Sequence, residues 1–365
     1  MGLEKAYRGR RVLVTGHTGF KGSWLSIWLY KLGAEVLGVS RDVPTDPSHF
    51  LVANLSDILT DRRIEIRHGE EVQGVIKEFK PNFIFHLAAQ ALVRRSYARP
   101  IETWETNVLG TLNVLDALRG LDHPCTAVII TSDKCYENVE WLWGYRENDT
   151  LGGVDPYSAS KGAAELAIRS YVKSFFPPGD TEHRIASARA GNVIGGGDWA
   201  LDRIVPDCVR AWSQGEAVDL RHPHATRPWQ HVLEPLSGYL VLAAALTKRS
   251  ELHGEPFNFG PSSQQSRSVL ELVQQMAEHW EQVRWRTPVA PGETFYESSL
   301  LKLNCDKASH HLDWRSVMSF DQTVRFTADW YRTFYSDSDE ILRISLKQID
   351  TYMDLAAQKE FSWVK

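Results

Sequence analysis

A chain of 365 residues is long enough to bury a large core and to fold as two closely joined units. With 43% hydrophobic and 24% charged residues and a net charge of -5, bulk electrostatics give it no attraction for nucleic acid or a membrane surface. Cys125, Cys135, Cys208 and Cys305 show no Cys-x-x-Cys spacing, so neither a metal site nor a disulfide framework is expected. The chain runs almost at once into its first strand, without a signal-type apolar stretch, and no apolar run approaches the about 20 residues of a membrane span. A cytoplasmic enzyme is the expectation.

In chain order, apolar runs predict strands at Arg11–Thr15, Glu35–Val39, Ile64–Ile66, Asn82–His86, Ala127–Thr131 and Arg184–Ala188. Helical patterns fall between them at Phe20–Leu32, Glu70–Phe79, Ile101–Arg119 and Tyr157–Phe176, and Val43–Thr60 reads as a polar excursion with a short helical piece. This alternation implies an α/β fold, a Rossmann-type doubly wound parallel sheet. Beyond about Ala190 the rhythm changes. Gly195-Gly196-Gly197 forces a loop, prolines recur, and helices are predicted at Pro206–Gln214, Pro235–Leu246, Ser268–Gln282 and Asp321–Tyr335, with a helix of modest order from about Asp337. These segments are not expected to extend the sheet. The predicted division is a dinucleotide-binding domain over 1–190 and a smaller C-terminal substrate-binding lobe over 191–365, with about 229–250 packing back on the first.

The turn Gly16-His17-Thr18-Gly19-Phe20-Lys21-Gly22 closes the first strand and opens a helix. Its glycines allow a tight turn and let backbone N–H groups approach a pyrophosphate at the helix N-terminus. The second strand ends at Ser40-Arg41 without the acidic residue that usually binds an adenosine ribose, and these two residues tolerate a 2′-phosphate, so NAD is favoured only in part and NADP stays open. Leu87, Ala88 and Ala89 are small enough for close approach to a cofactor, and Asn107 is placed to organise an inner helix.

Tyr157 and Lys161 stand one helical turn apart, a phenol beside an ammonium. Free tyrosine titrates near 10, so a neighbouring cation is needed to favour the phenolate, and Lys161 is the expected source. Ser132, just past the fifth strand, supplies a hydroxyl at the carboxyl end of the sheet. Asp133 and Lys134 follow it. A dehydrogenase or epimerase needs only the hydroxyl, tyrosine and lysine, so this added pair suggests a further proton transfer, such as elimination of water. Arg203, Arg221 and Arg227 carry guanidinium forks suited to phosphate oxygens, and Asn192, Trp199 and Tyr145 are further candidates for a substrate pocket.

Together these residues resemble the extended short-chain dehydrogenase/reductase family, and within it the nucleotide-sugar 4,6-dehydratases. The runs Thr131-Ser132-Asp133-Lys134-Cys135-Tyr136, Trp143-Gly144-Tyr145-Arg146-Glu147, Gly191-Asn192-Val193-Ile194-Gly195-Gly196-Gly197-Asp198-Trp199 and Arg227-Pro228-Trp229-Gln230-His231-Val232 are similar to those of members acting on CDP-glucose. The resemblance implies oxidation at carbon 4, loss of water across carbons 5 and 6, and hydride return to carbon 6 by a tightly held, recycled NAD. It implies Asp133 as acid for the departing hydroxyl, and Lys134 as either the carbon-5 base or a stabiliser of the enolate. It also implies an adenine segment at Ile64-Glu65-Ile66-Arg67-His68, with Glu65 in place of the usual aspartate, and a homodimer or dimer of dimers. The alternatives are a nucleotide-sugar 4-epimerase, which has no task for Asp133 and Lys134, and a non-catalytic NAD(P)-sensing protein.

Overall fold

The computed structural model describes residues 2–179, 181–262, 265–280, 283–287 and 300–364. Its centre is a seven-stranded sheet of β1 (Arg11–Thr15), β2 (Glu35–Ser40), β3 (Thr60–Arg63), β4 (Phe83–His86), β5 (Thr126–Ile130), β6 (Arg184–Ala190) and β7 (Pro256–Phe259). The spatial order is β7-β6-β5-β4-β1-β2-β3, with each pair parallel. Strand order therefore reverses at β1, whose Thr15 pairs with Val39 on one side and His86 on the other. A crevice opens there, beyond the carboxyl ends of β1 and β4.

The helix Phe20–Lys31 shows why this sheet is doubly wound. Eight consecutive residues, Gly22–Leu29, are buried, so the helix has no polar stripe. One side covers the sheet, and the other is covered by the C-terminal helix Ile341–Gln358. That last helix, expected to be of modest order, is part of the core: Ile341, Ile349 and Tyr352 are fully buried and Tyr352 stacks edge-on to Trp28 at 5.6 Å. Burying each such side chain stabilises by roughly 1.5–3 kcal/mol.

Three further expectations are corrected. The third strand is Thr60–Arg63, not Ile64–Ile66. It pairs with β2 alone, and a one-sided edge strand needs no apolar run. Ile66 instead turns inward against Gly110, where an added Cβ would lie 2.6 Å from its Cδ1. The sheet is extended by the later half of the chain, because β7 pairs with Ser187–Ala190 and the helix Leu233–Leu246 packs on β5 and β6. The single helix expected over Ile101–Arg119 is interrupted by a π-turn at Glu105–Leu109, a device frequent at functional sites.

Candidate active site

The crevice is shaped first by backbone. Gly16 has φ +76° and lies so close to the chain leaving β4 that a Cβ there would be 2.7 Å from the Ala88 nitrogen. Gly22 is tighter still, since its Cβ would meet the Gly16 carbonyl oxygen at 2.0 Å. Gly19 is the N-cap of the helix Phe20–Lys31 and brings no side chain to its first N–H groups, which suits an anion. Thr15 Oγ1 accepts from the Ala88 N–H at 3.1 Å and lies 2.8 Å from His86 Nδ1, holding Leu87, Ala88 and Ala89 across the opening. Burial lowers the His86 pKa to about 3, so its ring is neutral.

Asn107 sits in the π-turn and ties two walls together. Its Oδ1 accepts from the Gln90 N–H at 2.9 Å, and its Nδ2 donates to Ser160 Oγ at 2.8 Å, on the helix Pro156–Phe175. Ser40 is engaged at 2.9 Å by His17, whose other ring nitrogen lies 3.0 Å from Asp61. Arg41 is exposed and shared among Asp42, Glu65 and Glu102, and Glu65 also holds Arg67 at 3.1 Å. Ile66 offers little to a ligand, because its side chain is core and its carbonyl accepts from Asn113 at 2.8 Å.

On the other side of the crevice, Asp155 accepts from the Tyr157 and Ser158 N–H groups at 3.0 Å and starts the helix that carries Tyr157 and Lys161. Ser132 caps a turn at Asp133–Cys135, accepts from the Lys134 N–H at 3.2 Å and donates to Asp133 Oδ1 at 3.0 Å. Burial pushes Tyr157 up to about 12, opposed by Ser132 and by the charge of Arg203. The Lys161 ammonium lies 3.5 Å from the Ile130 carbonyl, and Glu165, one turn further on, supports its charge. Burial lowers the Lys161 pKa to about 8. Arg203, held at 2.7 Å by Asp198, is a positive charge that lowers the Tyr157 pKa.

Asp133 is buried, and desolvation raises its carboxyl pKa against the pull of Lys134, Ser132 and Lys21. Gly191, just past the end of β6, presses on it, since a Cβ at that position would be 2.9 Å from Asp133 Oδ2, and Asn192 follows, half-buried. Lys21 rises from the glycine turn into the same neighbourhood, pulled down to about 8 by burial near Asp133, Arg203 and Lys161. Beside this cluster lies a small open depression lined by Lys134, Tyr136, Asn138, Asp155, Ser158 and Leu301.

The family model described as GDP-mannose 4,6 dehydratase matches residues 13–327. The chain belongs to this family. It is 45% identical to the CDP-glucose 4,6-dehydratase of Salmonella typhimurium, across 95% of this chain and 97% of that one. Among solved structures, the dTDP-glucose 4,6-dehydratase of Bacillus anthracis in complex with NAD has the same fold at TM-score 0.74 and 22% identity, covering 90% of this chain and 98% of that one. The UDP-glucose 4-epimerase of Thermus thermophilus in complex with NAD aligns at TM-score 0.73 and 26% identity, covering 88% and 99%.

On this family fold the expected substrate-side residues do not all gather. Trp199 is buried among Trp330, Tyr331 and Phe334, with ring centroids 4.9–5.7 Å apart, so it packs the core instead of lining a pocket. Tyr145 is likewise buried, stacked on Tyr136 at 5.2 Å with its hydroxyl bonded to Asn138. Buried Arg227 bonds the Thr226 carbonyl at 2.9 Å, while Arg221 is exposed and paired with Asp202 at 3.1 Å. A buried ion pair was missed altogether. Glu165 and Arg189 meet at 2.8 Å, Thr131 and Ser187 donate to Glu165, and Arg189 donates to the Tyr136 hydroxyl. An arginine at the end of an otherwise apolar strand, and a glutamate four residues beyond Lys161, were the available signals.

Proposed function

We propose that the protein converts CDP-glucose to CDP-4-dehydro-6-deoxyglucose, with NAD held across the carboxyl ends of β1 and β4 and regenerated in each turnover. The observation that carries this reading is Asp133, a buried carboxyl of raised pKa beside Ser132 and Tyr157, where a 4-epimerase has no use for a second acid. The 45% identity to a named CDP-glucose 4,6-dehydratase supports the base. The cradle formed by Gly16, Gly19 and Gly22, closed to any Cβ at Gly16 and Gly22, fits a dinucleotide pyrophosphate. Phe20 and Lys21 carry the N–H groups next to it, and Ser40, Arg41 and Glu65 stand at the adenosine end. When bound, NAD supplies the hydride acceptor at carbon 4, the donor at carbon 6, and a positive ring near Tyr157.

In this reading Tyr157 takes the 4-hydroxyl proton, guided by Ser132, with Arg203 and Lys161 as the local positive charge. Asp133 protonates the 6-hydroxyl as it leaves. A lysine receives the carbon-5 proton. Arg227, Arg221 and Asn192 meet the diphosphate and sugar. Residues 1–190 carry the cofactor, with 229–250 and β7 packed onto them, and the remaining later chain carries the nucleotide sugar. The apolar side chains Ile101, Trp104, Leu109, Leu166 and Phe175 are exposed on Pro100–Arg119 and Pro156–Phe175, which suits a homodimer or a dimer of dimers in the cytoplasm. The product suits deoxysugar supply, as for a lipopolysaccharide O-antigen.

The test is mass spectrometry of the protein incubated separately with CDP-glucose, dTDP-glucose, UDP-glucose and GDP-mannose. Loss of one water from CDP-glucose alone is expected. Unchanged mass with a new 4-epimer by NMR overturns the reading in favour of epimerisation. Tyr157→Phe abolishes turnover but leaves NAD binding, which separates either enzyme from a sensor.

A further inference from the structure

The groups of the proposed reaction stand on two separate elements. Asp133 belongs to the short turn capped by Ser132, whereas Tyr157 and Lys161 belong to the helix Pro156–Phe175. Loss of water after oxidation needs both elements on one sugar, so their relative placement matters as much as either alone. The structure ties them together at both ends of the turn. At its start, Thr131 donates its hydroxyl to Glu165, which lies one helical turn beyond Lys161. At its end, the Tyr136 hydroxyl accepts from Arg189 Nη1 at 2.7 Å, and the guanidinium lies over the Tyr136 ring, 4.9 Å from its centroid. The ion pair of Glu165 and Arg189, at 2.8 Å, joins the two ties. Thr131, Tyr136, Glu165 and Arg189 are all buried. The Tyr136 hydroxyl donates in turn to Asn258 Oδ1 on β7 at 2.8 Å, and Arg189 Nη1 also donates to the Glu147 carbonyl at 3.0 Å.

Resting on the dehydratase reading above, we propose that Tyr136 and Arg189 are positioning residues that hold the turn of Asp133 in register with the helix of Tyr157. The Tyr136 hydroxyl and both terminal nitrogens of Arg189 are engaged by protein groups, so they act through the placement of Asp133 and not by touching the sugar. An acid must be held within roughly 0.5 Å of its productive position by neighbours that are themselves fixed. Here those neighbours come from β6, β7 and the helix Pro156–Phe175 at once. Oxidation at carbon 4 draws chiefly on the helix, and loss of water on the turn. Loosening the tie at Tyr136 therefore slows the second step more than the first.

The experiment compares Tyr136→Phe, Thr131→Val and Ser187→Ala. Ser187 also donates to Glu165, at 2.8 Å, but it sits within β6 opposite Ile129 and holds no part of the turn, so it controls for the loss of a buried hydrogen bond. Each variant is incubated with CDP-glucose. Water loss is read by mass spectrometry and reduced cofactor by ultraviolet absorbance, with NAD binding and thermal melting measured alongside. In Tyr136→Phe and Thr131→Val, kcat for water loss should fall by about 10-fold or more while KM stays within about 2-fold. Reduced cofactor should build up in Tyr136→Phe, with a 4-keto sugar that keeps its 6-hydroxyl. Ser187→Ala should melt lower yet turn over at the wild-type rate. Either of the first two variants decides the matter if the other fails to fold. Unchanged kcat in a folded Tyr136→Phe or Thr131→Val overturns the proposal, as does an equal loss of kcat in Ser187→Ala, which makes the network merely structural. If the wild-type protein removes no water from CDP-glucose, the dehydratase reading has failed instead.

Discussion

The two sides of the crevice are built by different means. The cofactor side is backbone: Gly16 and Gly22 bring the chain into places that no other residue fits, and small side chains at Ala88 and Ala89 keep the opening clear. The catalytic and sugar side is a web of charges brought from distant parts of the chain, among them Lys21, Asp133, Glu165, Arg189, Asp198 and Arg203. Backbone shape tolerates little chemical variation but costs no charge burial. A charge web tunes acids and bases, and each member depends on its partner staying in place.

The largest expected effect comes from breaking that web at its deepest pair. Glu165→Gln leaves Arg189 buried and unpaired, so stability should fall by about 3–5 kcal/mol in denaturant titration. Lys161 also loses the carboxylate that supports its charge, and the activity profile should shift on the alkaline side. Preserved stability would mean that Tyr136 and the surrounding carbonyls suffice for Arg189. Next comes acid. His49, His86 and His231 are held near 3 by burial, below their ordinary 6.5. The unfolded chain binds the extra protons, so their stability contribution is complete above pH 6.5 and is lost as pH falls toward 3, at up to about 1.4 kcal/mol per pH unit for each. Melting temperature measured across that range should decline with falling pH, and a flat profile would contradict neutral burial. On the backbone side, Gly16→Ala places a methyl 2.7 Å from the Ala88 nitrogen at φ +76°. NAD affinity should weaken by at least about 10-fold, the equivalent of 1–3 kcal/mol of local strain, with far-ultraviolet circular dichroism unchanged.

This contrast also explains what the sequence made readable. Gly16 to Gly22, Ser132, Asp133 and the Tyr157–Lys161 spacing are local patterns, and local patterns survive being written in a line. The strands β1, β2, β4, β5 and β6 are apolar runs and were found for the same reason. Thr60–Arg63 is an edge strand that needs no apolar face, and Pro256–Phe259 is four residues whose pairing partner lies about 70 positions earlier, so neither carries a local signal. Arg203 is read from the sequence as a phosphate contact, and its sequence neighbours carry no signal of the electrostatic pull it also has on Tyr157. That pull depends on the fold, in which Asp198 holds the guanidinium at 2.7 Å.

The smallest expected effect tests the aromatic reading of the sugar side. Trp199 was expected to line a nucleotide pocket, yet it meets Trp330, Tyr331 and Phe334 edge-on and is buried. Trp199→Phe should therefore cost about 1–3 kcal/mol of stability through lost packing. The KM for the nucleotide sugar should change by less than about 2-fold, well under 1 kcal/mol of binding. Arg227→Gln should behave in the opposite way, raising KM by about 10-fold through a lost charged contact to the diphosphate. A large KM change in Trp199→Phe would move the nucleotide to that aromatic cluster. The cluster would then have to open on binding, because Gly196, three residues earlier, packs directly against the Trp330 ring.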